Sequence, residues 1–173
     1  WMAGGTVCAR DPQTGYVVVT PSGLDYERLT PDDMTVTDMD MNLVEGKFRP
    51  SVALNLWIGF MRARTELNAV VHTHSPYATA FSVAYQPIPV ITETMADWFG
   101  QPVQVTRYLS VEDPEFPTLP VEVMGNGYAV LLGNHGPITV GKTLEHALER
   151  AVTLEEAART YSIARTINVP VTL

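Results

Sequence analysis

Val70-Val71-His72-Thr73-His74-Ser75-Pro76 is the stretch around which the rest of the chain can be arranged. Its apolar residues predict a strand, and alternate residues of a strand point to the same face, so His72 and His74 would project together. Pro76 ends the strand and can begin a helix, because proline fits the first helical turn. On spacing alone, two such histidines are also compatible with packing or surface roles.

A third imidazole follows a second apolar run. Residues 129–133 predict another strand, and Asn134-His135-Gly136 comes directly after it. Three neutral histidines with an open fourth position form a catalytic type of divalent metal site. We therefore expect His72, His74 and His135 to bind Zn2+ first of all, with Mn2+, Co2+ and Fe2+ as alternatives.

Length and charge exclude several classes of function. The chain has 173 residues, 46% of them hydrophobic and 17% charged, which is typical of a single globular domain spanning 1–173. No apolar run reaches the ~20 residues that span a bilayer, so we expect no membrane role. The formal charge of -8 argues against a nucleic-acid partner, because phosphate backbones bind basic surfaces.

Cysteine usage and the first residues indicate the compartment. Cys8 is the one cysteine, which excludes an internal disulfide and fits a reducing compartment, so we expect a cytoplasmic protein. The chain opens at Trp1 without a basic segment followed by an apolar one, so we expect no signal peptide. The opening is also abrupt, and we expect that some N-terminal residues are missing.

Periodicity and turn residues predict a mixed α/β layer structure. Ser51 is a candidate N-cap for the helix that follows it. Prolines at 114, 117 and 120 exclude regular structure from most of 110–120. The predicted strands are 7–10, 16–20, 34–39, 70–74, 103–105, 129–133 and 137–140, and the main predicted helices are 52–64, 77–85 and 144–167.

Six groups of residues, in this order along the chain, resemble motifs of the class II aldolase/adducin family. They are Gly4-Gly5-Thr6-Val7-Cys8-Ala9-Arg10-Asp11, Thr20-Pro21-Ser22-Gly23, Val44-Glu45-Gly46-Lys47 with Arg49-Pro50-Ser51, His72-Thr73-His74-Ser75-Pro76-Tyr77-Ala78-Thr79-Ala80, Asn134-His135-Gly136 and Leu154-Glu155-Glu156-Ala157-Ala158. Together they cover nearly the whole chain.

The resemblance implies a fold, an assembly and an activity. The implied fold is a three-layer α/β/α sandwich with a central, mainly antiparallel sheet, usually in a homotetramer with sites at subunit interfaces. The implied activity is that of a metal-dependent lyase, which makes or breaks a carbon–carbon bond through a metal-stabilised ene-diolate. Its substrate would be a small molecule, a phosphorylated ketose or a hydroxy-keto acid.

The resemblance also implies a phosphate site. The family's phosphate-binding turns fall here at Thr6, Ser22, Gly23 and Ser51. Hydroxyl groups and free N–H groups near a helix start can bind a dianion without lysine. Ser51 as a helix cap is compatible with this role, because a capping serine lies at an anion site.

The chain departs from the family pattern where proton transfer is expected. After Arg-Pro the family has Ser-Ser-Glu, whose acid transfers a proton, whereas this chain has Ser51-Val52-Ala53. Trp57 stands where a histidine is expected, and Thr6 replaces an asparagine. Asp97 falls where the family's epimerase has a proton-transferring aspartate, so it is the candidate substitute catalytic residue.

These departures leave several functions open. The chain can be an aldolase with another base, a sugar-phosphate 4-epimerase that uses Asp97, or a decarboxylase, which needs no C–H deprotonation of its substrate. From a different class, it can be a catalytically silent oligomeric binding module, because Ala53 cannot move a proton. Retention of all three histidines argues against the silent module.

Overall fold

The protein is described by a computed structural model that covers residues 4–173, so the expectation about residues around and before Trp1 lies outside the described range. Seven strands form one sheet with the order β4-β3-β2-β1-β5-β7-β6, and neighbouring strands pair antiparallel. The strands are β1 Thr6–Arg10, β2 Val17–Val19, β3 Thr35–Thr37, β4 Leu43–Glu45, β5 Ala69–His72, β6 Ala129–Leu132 and β7 Gly136–Gly141.

Five α-helices of the described chain cover the two faces of this sheet. They are α1 Leu54–Ala63, α2 Pro76–Ala84, α3 Glu93–Phe99, α4 Leu119–Met124 and α5 Leu144–Ile167. One apolar cluster joins α1 and α4 to one face, and further clusters join α2, α3 and α5 to the other. The predicted α/β/α sandwich with an antiparallel sheet is confirmed, and no described helix is long and apolar enough to cross a membrane.

Alternation within the central strands explains the two layers. In β6, Val130 and Leu132 pack with α1 and α4, whereas Ala129 and Leu131 pack with α2 and α3. Because successive strand residues point to opposite faces, an apolar run of this kind suits a strand buried on both sides. Each large apolar side chain buried in this way stabilises the fold by about 2 kcal/mol.

Strand β5 lies in the interior of the sheet and carries the first metal-ligand candidate at its end. All four of its residues are buried, and it pairs with β1 on one side and β7 on the other. His72 stands opposite Thr6 of β1 and Ile138 of β7. The candidate site therefore begins on a buried strand that is paired on both sides.

The sequence prediction of the first helix is wrong at its start. Helix α1 begins at Leu54 with Ala53 in the N-cap position, not Ser51. The Ser51 hydroxyl accepts hydrogen bonds from the indole Nε1–H of Trp57 at 3.2 Å and from the backbone N–H of Ala53 at 3.4 Å. Helix α4 also begins inside the proline-rich stretch, with Pro120 in its first turn, where the ring needs no N–H partner.

Gly5 lies just before β1, where the backbone passes close to β5. Its φ is +98°, and an added Cβ would lie 2.5 Å from the His72 carbonyl oxygen. Gly15 has φ +75° with no atom within 4 Å of an added Cβ, so it is a matched control. We predict that Gly15→Ala costs about 1 kcal/mol of unfolding free energy from backbone strain, and that Gly5→Ala costs at least about 2 kcal/mol more.

Urea denaturation of the two variants measures this difference. Both variants place an alanine in a left-handed backbone conformation. Gly5→Ala also brings its Cβ into conflict with the β5 backbone, so its urea midpoint should fall further than that of Gly15→Ala. Equal midpoints would show that β1 can move away from β5 at no cost.

Candidate metal centre

His72 is held in a single tautomer by the neighbouring strand. Its side chain is buried, and its Nδ1 lies 2.9 Å from the carbonyl oxygen of Pro137 in β7. A carbonyl oxygen only accepts, so Nδ1 must carry the proton and Nε2 must present a lone pair. A hydrogen bond of this kind commonly orients metal-binding histidines.

The other two imidazoles are supplied by the loops that follow β5 and β6. His74 lies between β5 and the start of α2, and His135 lies in the turn between β6 and β7. Asn134 makes that turn possible with φ +57°, a left-handed conformation that asparagine tolerates. The backbone N–H of His135 donates to the Leu132 carbonyl at 3.0 Å and to Ser82 Oγ at 3.1 Å.

The Nε2 atoms of the three histidines converge on one point. His72 Nε2 lies 3.1 Å from His74 Nε2 and 3.3 Å from His135 Nε2. Three nitrogens placed tetrahedrally at about 2.1 Å from an ion would be about 3.4 Å apart. The spacing therefore fits the coordination shell of a small divalent ion, with the remaining direction facing a cleft.

The protonation states of the histidines also suit a metal. Burial, with a further contribution from the nearby His135, lowers the pKa of His72 to about 3, against an opposing effect of its bond to Pro137. Burial likewise lowers the pKa of His74 and of His135. Because the neutral imidazole is the form that binds metal, the site needs no proton release near neutral pH.

A cleft of about 150 Å³ opens from the three histidines. It brings together every predicted metal and phosphate residue. Its lining consists of Gly5, Thr6, Pro21, Ser22, Gly23, Tyr26, Ser51, Val52, Ala53, Trp57, His72, His74, Val111, Phe116 and His135.

The lining of this cleft contains no carboxylate and no lysine or arginine, within the part of the chain that the structure describes. Ala53, at the position of the family acid, is 8% exposed, and Val52 is 71% exposed. An anionic ligand would therefore meet hydroxyl groups, backbone N–H groups and the metal position. Proton transfer in the cleft would need a histidine, a hydroxyl group, the ligand itself or a group from another chain.

Asp97 is not brought into this cleft. It is exposed on α3, which packs against α5 on the opposite side of the sheet from Trp57. Within one chain, Asp97 cannot replace the acid that is missing at Ala53. Its catalytic role stays a prediction that requires a neighbouring protomer.

Two residues of the site were missed by the sequence analysis. Trp57 stacks on the His72 ring with centroids 5.6 Å apart, and its Nε1–H bonds to Ser51 Oγ. Ser82 of α2 donates its buried hydroxyl proton to the Leu132 carbonyl and supports His135. Trp57 follows the apolar periodicity of α1, and a serine within a helix carries no local signal, so the sequence indicated neither contact.

Comparison with known proteins identifies the family. Residues 1–162 match the family model of the class II aldolase and adducin N-terminal domain. The chain is 39% identical over 175 aligned residues to L-ribulose-5-phosphate 4-epimerase UlaF of Salmonella paratyphi B, covering 95% of this chain and 77% of that protein.

Solved structures give the same result. An L-fuculose 1-phosphate aldolase superposes with a TM-score of 0.92 at 29% identity, over 98% of this chain and 80% of that one. YgbL of Escherichia coli, described as a putative aldolase/epimerase/decarboxylase, superposes with a TM-score of 0.85 at 27% identity, over 93% and 79% of the two chains. From its sequence match and its fold, the chain belongs to the class II aldolase and adducin family.

Proposed function

We propose that this protein is a metal-dependent lyase that breaks or forms a carbon–carbon bond next to a carbonyl group of a small sugar phosphate or hydroxy-keto acid. The observation that carries the proposal is the convergence of three neutral imidazole Nε2 atoms at the end of a cleft lined by hydroxyl and backbone groups. The family contains enzymes named as an aldolase and as a 4-epimerase, both acting on sugar phosphates.

His72, His74 and His135 would hold the ion, for which zinc is our first choice and Mn2+, Co2+ and Fe2+ are alternatives. A bound divalent ion supplies Lewis acidity, which stabilises negative charge that develops on a substrate carbonyl oxygen as the bond breaks. Neighbouring residues of the protein hold these histidines in position. The Pro137 carbonyl keeps His72 in the required tautomer, and Ser82 holds the turn that carries His135.

The anionic end of the substrate would lie on Thr6, Ser22, Gly23 and Ser51. The backbone N–H of Ser22 already donates to the Arg49 carbonyl at 3.0 Å, so Ser22 would contribute its hydroxyl group. Gly23 has φ +76° and open space around it, which leaves room for phosphate oxygens. Binding by neutral donors suits a cleft without cationic side chains, because fixed N–H and O–H dipoles hold anions at short range.

A 4-epimerase is the second candidate, favoured by the 39% identity to an enzyme of that name. Cleavage of the bond beside a carbinol carbon releases an aldehyde, and re-addition to its opposite face inverts that carbon. The two activities therefore share bond cleavage and differ in whether the aldehyde leaves.

We also propose a cytoplasmic homotetramer in which sites form between protomers. The buried free thiol of Cys8 fits a reducing compartment. Exposed Asp97 would then face the cleft of a neighbouring protomer and move a proton there.

Replacement of His74 by alanine tests the metal site. We expect His74→Ala to lower affinity for Zn2+ more than about 100-fold and to abolish turnover, because one of three ligands is lost. His146→Ala is the matched control, since His146 is exposed on α5 and does not line the cleft. Metal content by mass spectrometry after mild chelation measures the effect, and an active, metal-free His74→Ala enzyme would refute the assignment.

Asp97→Asn tests the contribution of a second protomer. We expect this variant to lose turnover on ketose phosphates while retaining its metal. Glu93→Gln, at another exposed position of α3, should leave turnover unchanged. Co-expression of Asp97→Asn with His74→Ala should restore a fraction of the activity, because mixed oligomers then contain complete sites.

Two other outcomes would contradict these proposals. Full activity of Asp97→Asn would remove Asp97 from the mechanism. Metal-loaded wild-type protein that turns over no ketose phosphate or hydroxy-keto acid would instead support the silent binding module.

A further inference from the structure

Trp57 connects the metal end of the cleft to its anion end. The residue is 1% exposed, and its indole Nε1–H has one acceptor among residues 4–173, the hydroxyl oxygen of Ser51 at 3.2 Å. The indole ring lies against the His72 imidazole, with an interplanar angle of 30°. One side chain therefore contacts a candidate metal ligand and a candidate phosphate ligand.

The hydrogen bonds around Ser51 leave one donor free. Ser51 Oγ lies 3.2 Å from Thr6 Oγ1, and the Ala53 N–H points at it from 3.4 Å. Thr6 Oγ1 has no other partner among the described residues. A hydroxyl group has one proton and two lone pairs, so the contact between Thr6 and Ser51 consumes one of their two protons.

The remaining proton has no acceptor in the described protein, whichever of the two hydroxyl groups keeps it. If Thr6 donates to Ser51, then Thr6 and Trp57 fill both lone pairs of Ser51 at 3.2 Å, the longer Ala53 contact at 3.4 Å receives none, and Ser51 must donate outward. If Ser51 donates to Thr6, then Trp57 and the Ala53 N–H fill the lone pairs, and Thr6 must donate outward. Both residues line the cleft, so the free proton is available to a ligand there.

We propose that Trp57 is a positioning residue that fixes the Ser51 hydroxyl group, so that the Thr6 and Ser51 pair directs one hydrogen-bond donor toward a phosphate or carboxylate oxygen in the cleft. Its indole N–H occupies one lone pair of Ser51, and Thr6 or the Ala53 N–H occupies the other, so Ser51 accepts no hydrogen bond from a ligand hydroxyl group. This inference rests on the proposed function, because it assumes that an anion and a metal ion share the cleft.

The cleft offers an anion few side-chain donors besides this pair. Val52, next to Ser51, supplies no hydroxyl group, and no cationic side chain lines the described cleft. A fixed donor is therefore valuable, because its hydrogen bond to a negatively charged ligand oxygen is stronger than its hydrogen bond to a neutral ligand hydroxyl group.

A double-mutant cycle with inorganic phosphate tests the proposal. Calorimetry on metal-loaded protein would compare wild type, Trp57→Phe, Ser51→Ala and the double variant. Phenylalanine retains an aromatic ring against His72 and loses only the N–H, so Trp57→Phe should weaken phosphate binding roughly two- to tenfold. In the Ser51→Ala background the same change should have no further effect, because Trp57 acts through Ser51.

Trp98→Phe is the matched control. Trp98 is partly buried on α3 and does not line the cleft, so this variant should bind phosphate like wild type. All variants should retain about one metal ion per chain. Unchanged phosphate affinity in Trp57→Phe, an equal loss in both backgrounds, or no phosphate binding by wild type would overturn the inference. Loss of the metal from wild type would instead overturn the proposed function.

A second measurement avoids any variant that fails to fold. In the unaltered protein labelled with 15N at tryptophan, phosphate should shift the indole N–H resonance of Trp57 more than that of Trp98. Equal or absent shifts would show that Trp57 does not sense the anion.

Discussion

The hydrogen bond from His72 Nδ1 to the Pro137 carbonyl is the constraint on which the site depends. It requires β5 and β7 to be neighbours, since it crosses between those strands. It also directs the free Nε2 of His72 toward His74 and His135. A metal centre built on His72 within the sheet and on two histidines of adjoining loops would combine rigidity with access from the cleft.

The cleft differs from the chain as a whole in its content of charged side chains. The chain carries 19 acidic and 11 basic residues, yet no carboxylate or cationic side chain lines the described cleft. The negative field of the chain would repel an anionic substrate, so local dipoles and a bound ion would have to overcome that repulsion. A hydroxyl group whose lone pairs are already occupied is suited to this task, and the Trp57 indole N–H occupies one lone pair of Ser51.

Much of the fold and of the site could be predicted from sequence, because period-two apolar runs and histidines at strand ends are local signals. The three histidines, Thr6, Ser22, Gly23 and Ser51 do meet in one cleft. The start of α1 and the contacts of Trp57 could not be predicted, since they depend on how β1 approaches the helix. The proposed role of Asp97 also depends on more than one chain, because it needs the cleft of a neighbouring protomer.

The most direct test of the metal centre is X-ray absorption spectroscopy on the ion that copurifies with the wild-type protein. We predict about one divalent ion per chain, with three imidazole nitrogens at about 2.0–2.1 Å and an oxygen from water or substrate in the open position. An ion without imidazole ligands, or protein that takes up no ion when Zn2+ is offered, would contradict the account.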